Sequence, residues 1–227
     1  TEYINLLPPW ESLLFECLDM HLPCYALVET VLSVPTDNPD VLLQLISLSD
    51  GSAVNQSMTF GWALSLPDGT RLATCSGPAP GSIKSSFRAE GYGMLSIVRF
   101  LHHLFRFCSV DPAINIQLSC DNESLLQQLE TARPYEDCFP NATLEPDWDL
   151  VNAIVTTIQP MACHISLPHV KGHQDEDVAY DQLPLEAQLN CDADYEAVYY
   201  QSMFERHRPT VPKTTTNRTK LQIGGKT

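Results

Sequence analysis

Read in chain order, the apolar and polar positions predict a definite succession of elements. Residues 8–20 (PPWESLLFECLDM) put proline at a helix start and Trp10, Leu13, Leu14 and Cys17 on one face, so an amphipathic helix is expected there. A second apolar stretch, Tyr25 to Val34, ends at Pro35 and a polar run. Val41–Ser49 is a short apolar run closed by Asp50-Gly51 and reads as a buried strand. Thr59–Leu66 and Thr70–Ser76 flank Pro67-Asp68-Gly69, where proline presets φ and glycine tolerates φ > 0. These three strands should form an antiparallel meander. Ser85–Phe107 then carries Met94, Ile97, Val98, Leu101, Leu104 and Phe105 at helical spacing. Ile114–Ser119 predicts a strand, Asn122–Thr131 a helix, residues 132–146 a proline-interrupted loop and Asp147–Gln159 a helix. His164–Leu167 predicts a last short strand, residues 168–184 a polar loop and Leu185–Phe204 a terminal helix.

Three hairpin strands followed by alternating strands and helices predict an α/β fold. Its sheet would be mixed and five-stranded, a three-strand antiparallel meander plus parallel strands, with helices on both faces. The chain divides into an extension (1–40), a main domain (41–204) and a basic tail (205–227). Gly91 and Gly93 fall inside the first long helix, at about 1 kcal/mol each relative to alanine. Close packing of that helix on the sheet is the expected reason.

Composition narrows the classes. The 227 residues are 44% hydrophobic, enough for a sizeable core and unlike a disordered or collagen-like chain. No apolar run approaches the ~20 residues that span a membrane, and no leader pattern opens the chain. The first residue, Thr1, suits a segment of a longer polypeptide. The eight cysteines (Cys17, Cys24, Cys75, Cys108, Cys120, Cys138, Cys163, Cys191) form no C-x-x-C pair and no zinc-finger spacing, so reduced thiols in an intracellular compartment, cytoplasmic or nuclear, are expected. Four N-x-S/T sequons, at Asn55, Asn122, Asn141 and Asn217, weigh little beside that. The net charge is −15, with 13 Lys+Arg against 28 Asp+Glu. Residues 206–227 hold six of the basic residues and no acid, and read as a flexible linker-like extension. Such acidity argues against a general nucleic-acid binder, because basic residues supply the attraction for phosphate.

Four acids stand out by position. Asp50 closes the first strand of the meander, Glu90 lies in the first turns of the long helix, Asp121 follows the fourth strand, and Asp194 lies near the start of the last helix. Taken singly, each has an ordinary alternative: a turn signal at Asp50-Gly51, a solvated helix residue at Glu90, an N-cap run at Asp121-Asn122-Glu123, and for Asp194 the neighbouring acids Asp192 and Glu196. Brought together, they repel by several kcal/mol unless cations lie among them, and hard divalent ions such as Mg²⁺ take oxygen ligands of this kind.

In these segments, SDGS, RAE, S-x-D, KGH (Lys171-Gly172-His173) and N-x-x-A-D (Asn190 to Asp194), the chain resembles the ribonuclease H family over roughly residues 41–204. The flavour is most like the ribonuclease H domain attached to retrotransposon reverse transcriptases. The resemblance implies an RNase H-like fold and an endonuclease that hydrolyses the RNA strand of RNA–DNA hybrids, leaving 5′-phosphate and 3′-hydroxyl ends. It implies that Asp50, Glu90, Asp121 and Asp194 hold two Mg²⁺ or Mn²⁺ ions. It also implies that His173 assists proton transfer or product departure from a mobile loop. Gly51, Ser52, Ser85 and Ser86 would touch the hybrid, with 2′-hydroxyls in the minor groove distinguishing RNA from DNA. The implied partners are the hybrid and an upstream reverse transcriptase domain within a retroelement polyprotein, with no membrane. Where cellular family members often carry a basic handle, residues 132–149 hold Arg133 against Glu136, Asp137, Glu145, Asp147 and Asp149. Two competing readings are a non-catalytic RNase H-like module that mediates protein contacts, and another nuclease of this fold such as an integrase or resolvase. The full set of four acids favours the active nuclease.

Overall fold

The centre of the molecule is a strand that faces a different core with each alternate residue. In the computed structural model, which describes residues 7–21, 26–27, 29, 44–54, 57–81, 83–107, 114–135 and 142–204, this strand is β2 (Gln44–Val54). Leu45 enters one core, with Phe60, Trp62 and Leu64 of β3 (Ser57–Ser65), while Ile46 and Leu48 enter a second one with Ala63. The period of two along a strand makes this split. The first core is closed by α1 (Ser86–Phe107), α2 (Glu123–Ala132) and α3 (Trp148–Ile158), and the second by Leu189 of α4 (Leu185–Phe204) with Val170.

The sheet is completed by β1 (Asp19–Met20), β4 (Arg71–Pro78), β5 (Asn115–Ser119) and β6 (His164–Ser166), in the order β1-β4-β3-β2-β5-β6. The pairs β1/β4, β4/β3 and β3/β2 are antiparallel, whereas β2/β5 and β5/β6 are parallel. This is the expected α/β arrangement of meander, parallel strands and helices on both faces, with six strands instead of five. The additional strand comes from the segment expected as a helix over 8–20. Only Pro9–Ser12 is α-helical there; Leu13–Phe15 is a 3₁₀ turn and Asp19–Met20 pairs with Thr74 and Ala73. Tertiary hydrogen bonds outcompete the amphipathic period: Cys17 N–H donates to Ser76 O, His21 N–H to Leu72 O, and the Ser96 hydroxyl to Leu14 O. Most of the 25–34 stretch, the boundary near residue 40 and the tail at 205–227 lie outside the described residues.

Helix α1 is buried without a break from Arg88 to Val98, because β2, β3, the 9–15 segment and α3 surround it. The expectation for its glycines holds for one of the two. A Cβ on Gly93 would stand 2.9 Å from Ser49 Cβ and 3.2 Å from Gly61 O, so this glycine sets the helix against the sheet. A Cβ on Gly91 would instead meet Leu150 of α3. Inside the core, Trp62 Nε1 donates to Ser96 Oγ at 2.7 Å, tying β3 to α1. Arg88, 7% exposed, is paired through its guanidinium with Asp147 and Asp149 at the start of α3. Two acids of the 132–149 segment are thereby engaged in packing α3 onto α1. No described helix is long and apolar enough to cross a membrane.

Candidate metal centre

Where β5 stops, β2 continues. The parallel ladder ends at Leu48↔Ser119, while β2 runs on to Val54 against β3. Asp50 therefore lies inside a strand, opposite Gly61, and not at a strand end as expected; it is the loss of the β5 neighbour that opens a rim there. Asp121 enters the same rim just after β5, following the isolated bridge Cys120↔His169. Glu90 comes down from α1, which approaches β2 closely because Gly51 has no side chain: a Cβ there would run into the Ala89–Glu90 backbone.

One carboxylate oxygen from each of Asp50, Glu90 and Asp121 lies within 4.8 Å of the other two. Glu90 and Asp50 are 4% and 8% exposed. Burial, followed by the Asp121 charge, pushes the Asp50 carboxyl up to about 7, although the Gly51 N–H donates to its Oδ1 at 2.6 Å. Burial and then Asp121 push Glu90 up to about 9, against a donation from Asn122 Nδ2 at 3.3 Å. Glu90 Oε2 is buried with no hydrogen-bond partner among the described residues. No described Lys or Arg forms an ion pair with any of the three. A cluster of hard oxygen donors with an orphaned buried oxygen and no protein cation fits a divalent ion such as Mg²⁺.

Asp194 stands outside that tight group of three, and midway along α4, not near its start. Its carboxyl is raised by burial, with His173 acting the other way and Asp175 and Asp121 adding to the rise. The helix is held close to the sheet by Gly61, whose missing Cβ leaves room for the backbone of Ala193 and Ala197. His173 is exposed on the loop after β6, at φ 53°, with Nδ1 4.0 Å from Glu176 Oε1. It bears on the Asp50 and Asp194 carboxyls electrostatically and touches none of the three grouped acids by a hydrogen bond among the described residues.

The hydroxyls expected to face a substrate are partly committed elsewhere. Ser52 Oγ donates to Gln201 Oε1 at 2.7 Å, joining β2 to α4. Ser85 Oγ accepts the Arg88 N–H at 3.1 Å, which makes it the cap of α1. Ser86 is exposed at the first position of that helix. Three further residues complete the rim. Asn122 caps α2 through Oδ1 and reaches Glu90 through Nδ2. The His169 ring lies 3.1 Å from Asp121 O. Gly172 lies so close to Asp121 Oδ2 that no Cβ would fit. The glycine of Lys171-Gly172-His173 was a readable signal; the double use of Asn122 depends on a contact 32 residues away and was not.

No protein-family model matches the chain, and no curated protein sequence matches it. Among solved structures, it is similar to an N-terminal RNase H domain from Mycobacterium tuberculosis, at 12% identity and a TM-score of 0.47 over 72% of this chain and 97% of that one. It is similar to LC11 RNase H1, isolated from compost and solved in complex with RNA/DNA hybrid, at 14% identity and 0.47 over 69% and 98%. It is also similar to the RNase H domain of prototype foamy virus, at 14% identity and 0.45 over 71% and 99%.

Proposed function

We propose that this chain is a divalent-metal-dependent endonuclease acting on the RNA strand of RNA–DNA hybrids, in the setting of a retroelement polyprotein. The gathering of Asp50, Glu90 and Asp121 within 4.8 Å, with no Lys or Arg paired to them among the described residues, carries the reading. A bound pair of Mg²⁺ or Mn²⁺ ions would supply an activated water and charge neutralisation at the scissile phosphate. Asp50, Glu90 and Asp121 are the residues that would hold such ions, with Asp194 entering from α4. Asn122 fixes the orientation of Glu90, and Gly172 leaves Asp121 room at the rim. His173, exposed and acting electrostatically on Asp194, would take or return a proton as the cleaved strand departs. No covalent intermediate is required, so no Ser or Cys nucleophile is assigned. An upstream reverse transcriptase domain would contribute the basic surface that residues 1–205, with seven basic residues against 28 acids, do not. Such a protein would work in the cytoplasm or nucleus.

The test is a labelled hybrid incubated with the purified chain and Mg²⁺ or Mn²⁺. Nicking of RNA is expected, with double-stranded DNA spared, and Asp50→Asn or Asp121→Asn should abolish it. Cleavage that survives either substitution contradicts the site. Absence of any divalent-dependent cleavage at low salt would favour the non-catalytic contact module instead.

A further inference from the structure

The loop that carries His173 is fastened at both ends, and the second fastening is a closed network of three side chains. At its root, Val170 N–H donates to Cys120 O at 3.2 Å, His169 lies against Asp121 O, and Gly172 abuts the Asp121 carboxylate. At its far end, the Tyr180 hydroxyl donates to Asp192 Oδ1 at 2.7 Å and accepts from Arg71 Nη2 at 3.0 Å. Arg71 Nε in turn donates to Asp192 Oδ2 at 2.7 Å, and its Nη1 to Gly69 O at 3.0 Å. The triangle joins the β3–β4 turn, the loop and α4. Arg71 and Asp192 are only 22% and 25% exposed at their side chains, so the pair is less screened than an open surface ion pair. Asp192 precedes Asp194 by two residues, about 200° around the helix, so the two carboxylates point to opposite sides of α4. Between the two fastenings, residues 171–179 are mostly exposed; Gln174 Nε2 donates to Lys171 O, and residues 174–176 lie against α4, where Asp175 meets Cys191.

The geometry points to Arg71, Tyr180 and Asp192 as a clamp that positions the His173 loop and the face of α4 bearing Asp194 over the carboxylate rim. Tyr180 is the positioning residue at its centre, because its hydroxyl alone bridges the other two to the loop. The positioning of the loop stands on these contacts; its bearing on cleavage rests on the nuclease reading above.

Tyr180→Phe in the full chain removes the hydroxyl and keeps the ring. Amide hydrogen exchange should rise about tenfold at the hydrogen-bonded amides of Glu176, Asp177, Val178 and Gln182, because both charge-assisted bonds of the hydroxyl are lost while the Arg71–Asp192 pair remains, with β2–β4 and α4 unchanged. For hybrid cleavage, kcat should fall about tenfold with KM unchanged. Asp192→Asn should act through the same network, so the double variant should be no slower than the worse single one. Unchanged loop exchange in Tyr180→Phe overturns the clamp. A rise spread over the sheet and α4 makes the role merely structural and also overturns it, as does a looser loop with kcat unchanged. If the wild-type chain cleaves no hybrid, the nuclease reading fails by itself and the exchange experiment still decides whether the clamp exists.

Discussion

A buried acid whose carboxyl titrates upward holds its proton more tightly when folded than when unfolded. Glu90 goes from an ordinary 4.5 to about 9, and Asp50 from 3.8 to about 7. Below their ordinary values both states carry the protons and the cluster costs little. As pH climbs through the folded values the native state must lose them, so stability falls with rising pH. In the presence of a chelator, denaturant unfolding followed from pH 5 to 9 should show that decline, and Glu90→Gln should flatten it. Added Mg²⁺ should restore stability most at the alkaline end, where the carboxylates are free to bind it. Gly172→Ala should weaken Mg²⁺ binding about tenfold by pushing the Asp121 carboxylate aside, measurable by calorimetric titration. The identities of these acids were readable in the sequence because each falls in a short, recognisable segment. Their exact company was not: Asp50 in mid-strand and Asp194 in mid-helix owe their places to where β5 ends and how closely α4 lies on Gly61.

The main helices and strands were legible because their apolar periods are long and their ends are punctuated. Leu185–Phe204 came out to the residue, with Pro184 just ahead of it. The strand over 41–49 runs on to Val54, since a strand that continues as a hairpin past Asp50-Gly51 reads locally like one that stops; residues 41–43 lie outside the described ones. The 8–20 segment carries the period of one helix, and the partners that override it, Ser76, Leu72 and Ser96, are more than fifty residues away. Two substitutions test how elements are placed. Ser85→Ala removes the cap of α1 and should cost about 1 kcal/mol in chemical denaturation. Gly61→Ala forces a methyl group into the Ala193–Ala197 backbone, with a cost of about 1–3 kcal/mol and weaker Mg²⁺ binding as Asp194 shifts outward.

Over the whole molecule, charge governs how a polyanion is met. Of the seven basic residues in 7–204, Arg71, Arg88, Arg99 and Arg133 are engaged in ion pairs; among the described residues no ion pair holds Lys84, Arg106 or Lys171. Hybrid affinity measured across KCl concentrations should therefore show a shallow logarithmic slope, of magnitude about 3 or less apart from what the tail adds. Replacing the six basic residues of 206–227 with Gln should reduce it further if that segment meets phosphate. The same scale gives the short strand β1 its meaning. With Cys17 N–H on Ser76 O and His21 N–H on Leu72 O, residues 17–21 occupy the outer backbone of β4, and the opposite border of the sheet is a strand of only three residues. Neither border offers a long unpaired ladder for a strand from another molecule to join. A version of the protein begun at residue 41 would leave the Leu72 and Ser76 carbonyls bare along an apolar strand. It should self-associate where the full chain stays dispersed, a difference that light scattering at matched concentration would register.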